Sequence, residues 1–228
     1  MANDYVITPP AVSTVPVRGG GRFPVRRIYC VGRNYAEHAR EMGHDPDKEP
    51  PFFFGKPADA LVTNGADTPY PSLSSDLHHE IELVVALKAG GSDLTREQAE
   101  AAIFGYAAGI DLTRRDLQSE AKKLGRPWDM AKGFDHSAPI GEIVPAGGAA
   151  LNRGFIRLSV NGELRQDGDL SQLLWAVPDA IAFLSGFVEL KPGDLIFTGT
   201  PAGVSAVTHG DRLDGEIEGV GTVTTKIA

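Results

Sequence analysis

The chain has 228 residues, of which 42% are hydrophobic and 23% are charged, and its formal net charge is −8. This length fits one domain with a sizeable core, and the composition is ordinary for a soluble globular protein. The acidic balance, without a basic stripe, argues against nucleic acid as a partner.

The lone cysteine, Cys30, excludes an internal disulfide bond and indicates a reducing compartment. The N-terminal residues lack the apolar core of a signal peptide, and no apolar run approaches the length of a membrane span. We therefore expect a cytoplasmic protein that does not enter a membrane. The apolar neighbours of Cys30 favour a packed thiol over a nucleophile.

In the first half of the chain, proline and glycine dominate residues 1–24, apart from a β-like stretch at 11–17. "RRIYCVG" predicts a short strand, and "NYAEHAREMG" predicts a brief helix. The four prolines of 44–62 predict a long ordered loop, as in a lid or binding loop. "IELVVAL" then predicts a buried strand, and "TREQAEAAIFGYAAGIDL" predicts a helix that becomes a strand.

In the second half, "TRRDLQSEAKKLG" predicts a helix that Thr113 caps and Gly125 ends. The Asn-Gly pair of "IRLSVNGELRQ" predicts a hairpin, and residues 171–186 predict a helix that is broken or kinked at Pro178. "DLIFTGT" and "GEIEGVGTVTTKIA" predict further strands. Strands and helices do not alternate regularly, which indicates an α+β domain that is mainly β.

Two glutamates interrupt the predicted buried strand of "LHHEIELVVAL". Residues two apart in a strand share a face, so Glu80 and Glu82 point the same way as Val84 and Ala86. A solvated polar face is the alternative, but the apolar Val84 and Ala86 count against it. Two carboxylates at the mouth of a buried face repel each other and are costly to desolvate, and a cation would relieve both penalties.

Asp111 ends the predicted strand "GYAAGID" and is the candidate for a third ligand, because hard divalent cations prefer oxygen. A turn aspartate near a helix N-terminus is the alternative. A zinc site built from His78 and His79 is less attractive, because adjacent strand residues face opposite ways. The pattern therefore favours an oxygen-ligated divalent cation.

A candidate general base lies on the first predicted helix, where His38 and Glu41 are three residues apart and share a surface. A neighbouring carboxylate orients an imidazole and raises its basicity, although a solvent-exposed pair of little energetic value fits the same spacing. Lys132 has apolar neighbours, which fits either a functional amine or a lysine that extends its ammonium to the surface. Polar donors close in sequence to these candidates are Arg33, Arg115, Gln118 and Thr200.

Six segments, in this order, resemble the fumarylacetoacetate hydrolase family: "VGRNYAEHAREM", "HHEIELVVAL", "GIDLTRRDLQ", "KKLGRPWDMAKGFD", "VNGELRQDG" and "FTGTPAGV". The combination of E-x-E, a later Asp and N-Y-x-x-H is highly specific. The resemblance runs from about residue 26 to the end and implies the small single-domain branch, with a catalytic domain over 26–228. Residues 1–25 and "PPFFFGK" do not follow the shortest members, and we expect 1–25 to form an N-terminal extension packed on the domain. It also implies the family's mixed β-sandwich or roll, commonly as a homodimer.

The resemblance also implies roles for the candidate residues. The family's ligands for Mg²⁺ or Mn²⁺ match Glu80, Glu82 and Asp111. The water-activating pair on a mobile lid matches His38 and Glu41, and the lysine near a developing enolate matches Lys132. The substrate-binding positions match Arg33, Arg115, Gln118 and Thr200. Larger members have a further carboxylate upstream of the histidine, which "CVGRNYA" lacks, so water would fill that place.

The activity implied by the resemblance is hydrolysis of the C3–C4 bond of an acylpyruvate, a small 2,4-dioxo acid. We expect fumarylpyruvate as the substrate, with fumarate and pyruvate as products, in the gentisate branch of aromatic catabolism. Alternatives on the same scaffold are oxaloacetate decarboxylation and the isomerisation or decarboxylation of hydroxymuconate-type diacids. A remote alternative is a metal-binding protein without turnover.

Overall fold

The strands of the computed structural model, which describes residues 5–37, 50–148 and 150–228, are numbered in chain order. They are β1 (Thr14–Pro16), β2 (Arg22–Pro24), β3 (Arg27–Gly32), β4 (Phe52–Lys56), β5 (Leu61–Val62), β6 (Leu77–His78), β7 (Ile81–Leu87), β8 (Ile103–Ile110), β9 (Thr113–Arg114), β10 (Ala138–Pro139), β11 (Val144–Pro145), β12 (Phe155–Val160), β13 (Glu163–Asp169), β14 (Asp194–Phe197), β15 (Ala206–Val207), β16 (Arg212–Ile217) and β17 (Gly221–Lys226). The helices are α1 (Arg96–Ala101), α2 (Arg115–Leu124), α3 (Asp129–Lys132) and α4 (Val177–Ser185). Short 3-10 turns span Ala58–Ala60 and Leu170–Gln172.

A six-stranded sheet of order β11-β8-β7-β14-β3-β4 lies at the centre of the fold. Strand β7 pairs antiparallel with β8 and with β14, whereas β14 and β3 run parallel, so this sheet is mixed. A second sheet, of order β13-β12-β16-β17, is antiparallel throughout. The predicted α+β, mainly β fold of the sandwich or roll type is confirmed.

The two faces of β7 enter different parts of the core. Leu83 and Val85 pack with residues of the second sheet, such as Leu158, and this packing makes the sandwich. Val84 and Ala86 face the other way and pack in a second apolar cluster. Every residue of β7 is therefore buried, as the sequence predicts, and Glu82 lies two residues before Val84 on the second face.

The first two strands cover that second face. Val15 of β1 and Phe23 of β2 are buried in the same cluster as Val84, and the Ile143 N–H donates to the Pro16 carbonyl over 2.8 Å. The division into an extension over 1–25 and a domain over 26–228 stays a prediction.

No helix among the described residues is long and apolar enough to cross a membrane.

The prediction of a loop over 44–62 was wrong for its second half. Phe52–Lys56 forms β4, which pairs antiparallel with β3, and Leu61–Val62 forms β5. Pro51 and Pro57 flank β4 rather than interrupt it, so each strand N–H remains available for pairing. The aromatic residues of β4 favour a strand.

Two details of the predicted helices were also wrong. Thr113 does not cap α2: it lies in β9, and its Oγ1 donates to the Asp111 carbonyl over 3.3 Å. Pro178 neither kinks nor breaks a longer helix, because α4 begins at Val177 and the proline lies in its first turn, where its missing N–H is not needed. The predicted end of α2 at Gly125 is confirmed, with φ of 63°. The helix predicted over 34–43 lies largely outside the described residues.

Replacing Gly109 with alanine is expected to lower the free energy of unfolding by about 1–3 kcal/mol. A Cβ at this position of β8 would lie 2.6 Å from Val84 Cγ2 and 2.8 Å from a ring carbon of Phe197. Urea denaturation measures the change. Gly147→Ala is the matched control, because a Cβ there meets no heavy atom within 4 Å, and its effect should stay below about 0.5 kcal/mol. Equal effects of the two substitutions would contradict the packing argument.

Candidate active site

Three acidic side chains converge where β7 and β8 lie side by side. Glu80 immediately precedes β7, Glu82 lies within it, and Asp111 immediately follows β8. The strands are antiparallel, so the start of β7 meets the end of β8, and the Asp111 N–H donates to the Glu80 carbonyl over 2.8 Å. One oxygen of each carboxylate lies within 4.8 Å of the others, and all three residues are buried.

Three basic side chains pair with two of these acids. Lys132 Nζ lies 2.7 Å from Glu80 Oε2 and 2.7 Å from Asp111 Oδ2. Arg115 Nη2 donates to Glu80 Oε1 over 2.5 Å, and Lys56 Nζ lies 2.8 Å from Asp111 Oδ1. Burial alone would lower the pKa of Lys132, but Asp111 and Glu80 outweigh it and raise that pKa. Lys132 is therefore held as an ammonium ion.

Glu82 is the acid that these cations leave unpaired. It forms no ion pair with any described residue, and its Oε2 accepts the Gly199 N–H over 2.8 Å. Burial, and then the nearby charges of Asp111 and Glu80, raise the pKa of the Glu82 carboxyl well above its ordinary range. A cation bound among the three acids would supply the missing charge, and divalent ions such as Mg²⁺ prefer oxygen donors. The residues therefore fit a divalent metal ion.

The predicted substrate-binding residues lie around this cluster. One pocket is lined by the two glutamates, Lys132 and all four candidates: Arg33, Arg115, Gln118 and Thr200. Arg115 Nη1 donates to Gln118 Oε1 over 2.6 Å, so the first turn of α2 presents both groups together. Arg33 follows β3 with a left-handed φ of 58°, and its guanidinium lies 5.2 Å from the centre of the Phe52 ring. Such backbone strain at a non-glycine residue is characteristic of functional sites.

A buried hydrogen-bond network fixes the turn that carries Thr200. Gln166 Nε2 donates to Thr200 Oγ1 over 2.7 Å, and Gln166 Oε1 accepts the Ile81 N–H over 3.0 Å. The same Oε1 lies 2.9 Å from His79 Nδ1, so Nδ1 carries the proton and donates. His79 Nε2 then accepts from Ser205 Oγ, 2.9 Å away. His79 is thus a neutral, structural histidine beside the site.

The alternative candidates from the sequence, His78 and His79 as zinc ligands and Cys30 as a nucleophile, do not contribute to the acidic cluster. His78 Nε2 lies 2.8 Å from Asp76 Oδ1, whereas His79 turns into the Gln166 network, so the two imidazoles do not converge on one point. Cys30 is fully buried, and burial raises the pKa of its thiol well above the ordinary value. A thiol in that state is a poor nucleophile.

His38 and Glu41 lie outside the described residues, so their roles stay predictions. The chain that leads to them is anchored beside the acidic cluster by Asn34. Asn34 Nδ2 donates to the Thr198 carbonyl over 2.9 Å, and Asn34 Oδ1 accepts the Trp175 N–H over 2.7 Å.

Sequence reasoning missed Lys56 and three aromatic residues. Phe52, Phe54 and Lys56 alternate along β4 and share one side of it. The Trp128 ring contacts Phe52 at 5.2 Å and Phe54 at 5.9 Å between ring centres. Phe52, Phe54 and Trp128 form what we call the aromatic wall of the pocket. The run of three phenylalanines favours a strand, but it gives no signal that this strand borders the acidic cluster.

The sequence matches known proteins of one family. Residues 27–228 match the family model described as fumarylacetoacetate (FAA) hydrolase C-terminal. A fumarylpyruvate hydrolase of Ralstonia sp. is 44% identical over 188 residues, which cover 82% of this chain and 98% of that protein. An oxaloacetate tautomerase of Escherichia coli is 40% identical over 208 residues, which cover 90% of this chain and 94% of that protein.

Comparison of the folds also identifies a similar protein of this family. A crystal structure of fumarylpyruvate hydrolase from Pseudomonas aeruginosa, in complex with Mn²⁺ and pyruvate, superposes with a TM-score of 0.96. The two chains are 50% identical, and the match covers 99% of each.

Lys56→Met is expected to lower the free energy of unfolding of the metal-free protein by about 3–5 kcal/mol, because it leaves Asp111 without one of its buried partners. Urea denaturation in EDTA measures this. Lys191→Met is the control, since the pair of Lys191 with Glu189 is largely exposed, and its removal should change stability by less than about 1 kcal/mol. Similar values for both variants would show that Lys56 does not stabilise the cluster.

His79 predicts a pH dependence of stability. Burial lowers the pKa of His79 from 6.5 to about 4. Between these values the unfolded chain binds a proton that the folded protein does not, so the stabilisation is complete above about pH 6.5 and is lost as the pH falls towards 4. From pH 7 to 4.5 the wild type should lose about 2 kcal/mol more stability than His79→Gln, measured by urea denaturation at both pH values. Parallel losses would refute a neutral His79.

Proposed function

The chain belongs to the fumarylacetoacetate hydrolase family and is a hydrolase of carbon–carbon bonds, and we propose that it cleaves the C3–C4 bond of an acylpyruvate. We propose fumarylpyruvate as the substrate, with fumarate and pyruvate as products. The observation that carries the proposal is the buried cluster of Glu80, Glu82 and Asp111, in which Glu82 has no cationic partner among the described residues.

We propose Mg²⁺ or Mn²⁺ as the ion that Glu80, Glu82 and Asp111 hold. When bound, the ion supplies positive charge and Lewis acidity beside the carboxylate and the 2-oxygen of the substrate. The Mn²⁺ and pyruvate in the Pseudomonas aeruginosa structure support this assignment.

The other residues of the pocket orient the substrate and move its protons. Arg33, Arg115, Gln118 and Thr200, which line the pocket, would bind the substrate. His38, oriented by Glu41, takes a proton from the water that attacks C4. When the C3–C4 bond breaks, its electron pair forms the enolate of pyruvate, and C4 leaves as the carboxylate of fumarate.

Lys132 acts where negative charge develops. Its ammonium is already fixed by Glu80 and Asp111, so it stabilises the enolate oxygen without reorganising. Protonation of the enolate at C3 then gives pyruvate. A homodimer and a role in gentisate degradation, which rest on the family resemblance, and a cytoplasmic location, which rests on the lone cysteine and the absence of a signal-peptide pattern, complete the proposal.

Oxaloacetate tautomerisation is a second candidate, favoured by the 40% identity to the Escherichia coli tautomerase. It requires the same enolate stabilisation by Lys132, but no attack by water. Oxaloacetate decarboxylation and the hydroxymuconate-type reactions share this property. These activities are therefore expected to survive the loss of a base that acts only on water.

The proposal predicts metal-dependent release of pyruvate from fumarylpyruvate, which an ultraviolet assay coupled to pyruvate detection measures. Activity should vanish in EDTA and return with Mn²⁺ or Mg²⁺. Glu82→Gln should lower kcat/KM by roughly 100-fold or more, because it removes a charged ligand rather than an outer contact. His38→Ala should lower kcat by about 10²–10⁴-fold.

Glu189→Gln, at an exposed position, is the control and should leave activity unchanged. Thermal unfolding verifies that each variant is folded. If fumarylpyruvate survives while oxaloacetate is tautomerised or decarboxylated, the second candidate replaces the first. If metal binds and neither substrate reacts, the enzymatic proposal fails.

A further inference from the structure

A second cavity continues outward from the acidic cluster. The inner pocket reaches Glu80 and Glu82, and the outer cavity, of about 530 Å³, reaches Arg126 at the surface. The two share four lining residues: Arg33 and the aromatic wall of Phe52, Phe54 and Trp128. A ligand anchored at the acidic cluster can therefore extend along the aromatic wall into the outer cavity.

Each ring of the aromatic wall faces a different cation. Lys132 Nζ lies 5.0 Å from the centre of the Phe54 ring, and Lys122 Nζ lies 5.1 Å from the Trp128 ring. Arg33 faces Phe52 at 5.2 Å. A flat, conjugated chain with negative charge at both ends would complement rings that are flanked by cations.

Helix α2 carries two cations of the inner pocket, Arg115 and Lys122, which lie two helical turns apart. Arg115, Gln118 and Lys122 lie on one face of α2, at spacings of three and four residues. Arg115 contacts Glu80, whereas Lys122 lies roughly 10 Å farther along the helix axis. Lys122 lines the same inner pocket as Arg115, but it enters from two helical turns farther along and lies over Trp128 rather than on Glu80, so it is the cation available to a second anionic group.

Lys122 has no acidic partner in the described part of the chain. It is half-buried and lines the inner pocket, while its neighbour Lys123 is exposed. Burial, and then the charges of Arg115 and Arg33, lower the pKa of Lys122 to about 8. A bound carboxylate would compensate this partly desolvated charge.

We propose that Lys122 and the aromatic wall form a subsite for the distal carboxylate of a conjugated dicarboxylic acylpyruvate. This inference rests on the proposed function and deepens it, since it makes Lys122 the residue that selects acyl chains ending in a carboxylate. Phe52, Phe54 and Trp128 hold the flat chain, and the ammonium of Lys122 binds its end.

The test compares two substrates in the metal-loaded enzyme: fumarylpyruvate, with a distal carboxylate, and acetylpyruvate, without one. Lys122→Met should lower kcat/KM for fumarylpyruvate by about 10–100-fold, mainly through KM, and change that for acetylpyruvate by less than about threefold. Lys122→Arg, which keeps the charge, should restore most of the loss. Lys123→Met is the matched control on the same helix and should behave as the wild type.

Equal losses on both substrates, or no loss on either, would overturn the subsite; the latter would make Lys122 a lysine that only packs its stem on Trp128. A binding measurement separates this failure from failure of the proposed function. By calorimetry, the wild type should bind fumarate more tightly than crotonate, its monocarboxylate analogue, and Lys122→Met should bind both equally. If the wild type cleaves neither substrate, the hydrolase proposal fails, and the fumarate preference alone decides whether the subsite exists.

Discussion

The repulsion among three buried carboxylates is the constraint around which the site is built. Glu80 and Asp111 are brought together by the antiparallel register of β7 and β8, and Glu82 adds a third charge on the same side. Lys132 and its neighbouring cations neutralise the first two acids, but Glu82 accepts only a backbone N–H among the described contacts. Desolvated charges of one sign are not stable together, so a proton or a bound cation at Glu82 would stabilise the cluster.

The apolar packing around Glu82 increases the need for a group that stabilises its charge. Gly109 lies opposite Glu82, and a side chain there would collide with Val84 and Phe197, so the sheet is closely packed up to the carboxylates. Water therefore solvates Glu82 poorly from that side, and the raised pKa of its carboxyl expresses this cost. The packing that stabilises the sheet also increases the affinity of the site for a positive ion.

The sequence predicted the part of the site that follows from local geometry. The two-residue period of a strand places Glu82 on the same face as Val84. Antiparallel pairing of β7 with β8 is then sufficient to bring Asp111, after the end of β8, next to the start of β7. Strands β3, β7, β8 and β14 of the central sheet could be predicted for the same reason, whereas β4 and β11 were missed. Thr113 and Pro178 were misassigned because cap and kink signals depend on where a helix starts, which neighbouring strands decide.

The remaining residues depend on tertiary contacts that no local pattern encodes. Lys56 reaches Asp111 from β4, and Trp128 meets Phe52 from another segment, so neither pairing has a characteristic spacing. A lysine between a strand and a proline is usually a surface residue, and only the sheet order β14-β3-β4 brings β4 to the pocket. Long-range pairing, rather than residue type, decides which lysines of this chain reach the acidic cluster.

Relatives named for hydrolysis and for tautomerisation are similar to this chain to nearly the same degree, and the site explains why that is physically consistent. Both reactions develop charge on an enolate oxygen, and both can use the acids and Lys132 without change. They differ in whether water must be activated and in what lies beyond C4. In our proposal, His38 and Glu41 account for the first difference and the aromatic wall for the second. The acidic cluster and Lys132 are therefore compatible with either reaction and do not by themselves discriminate between them.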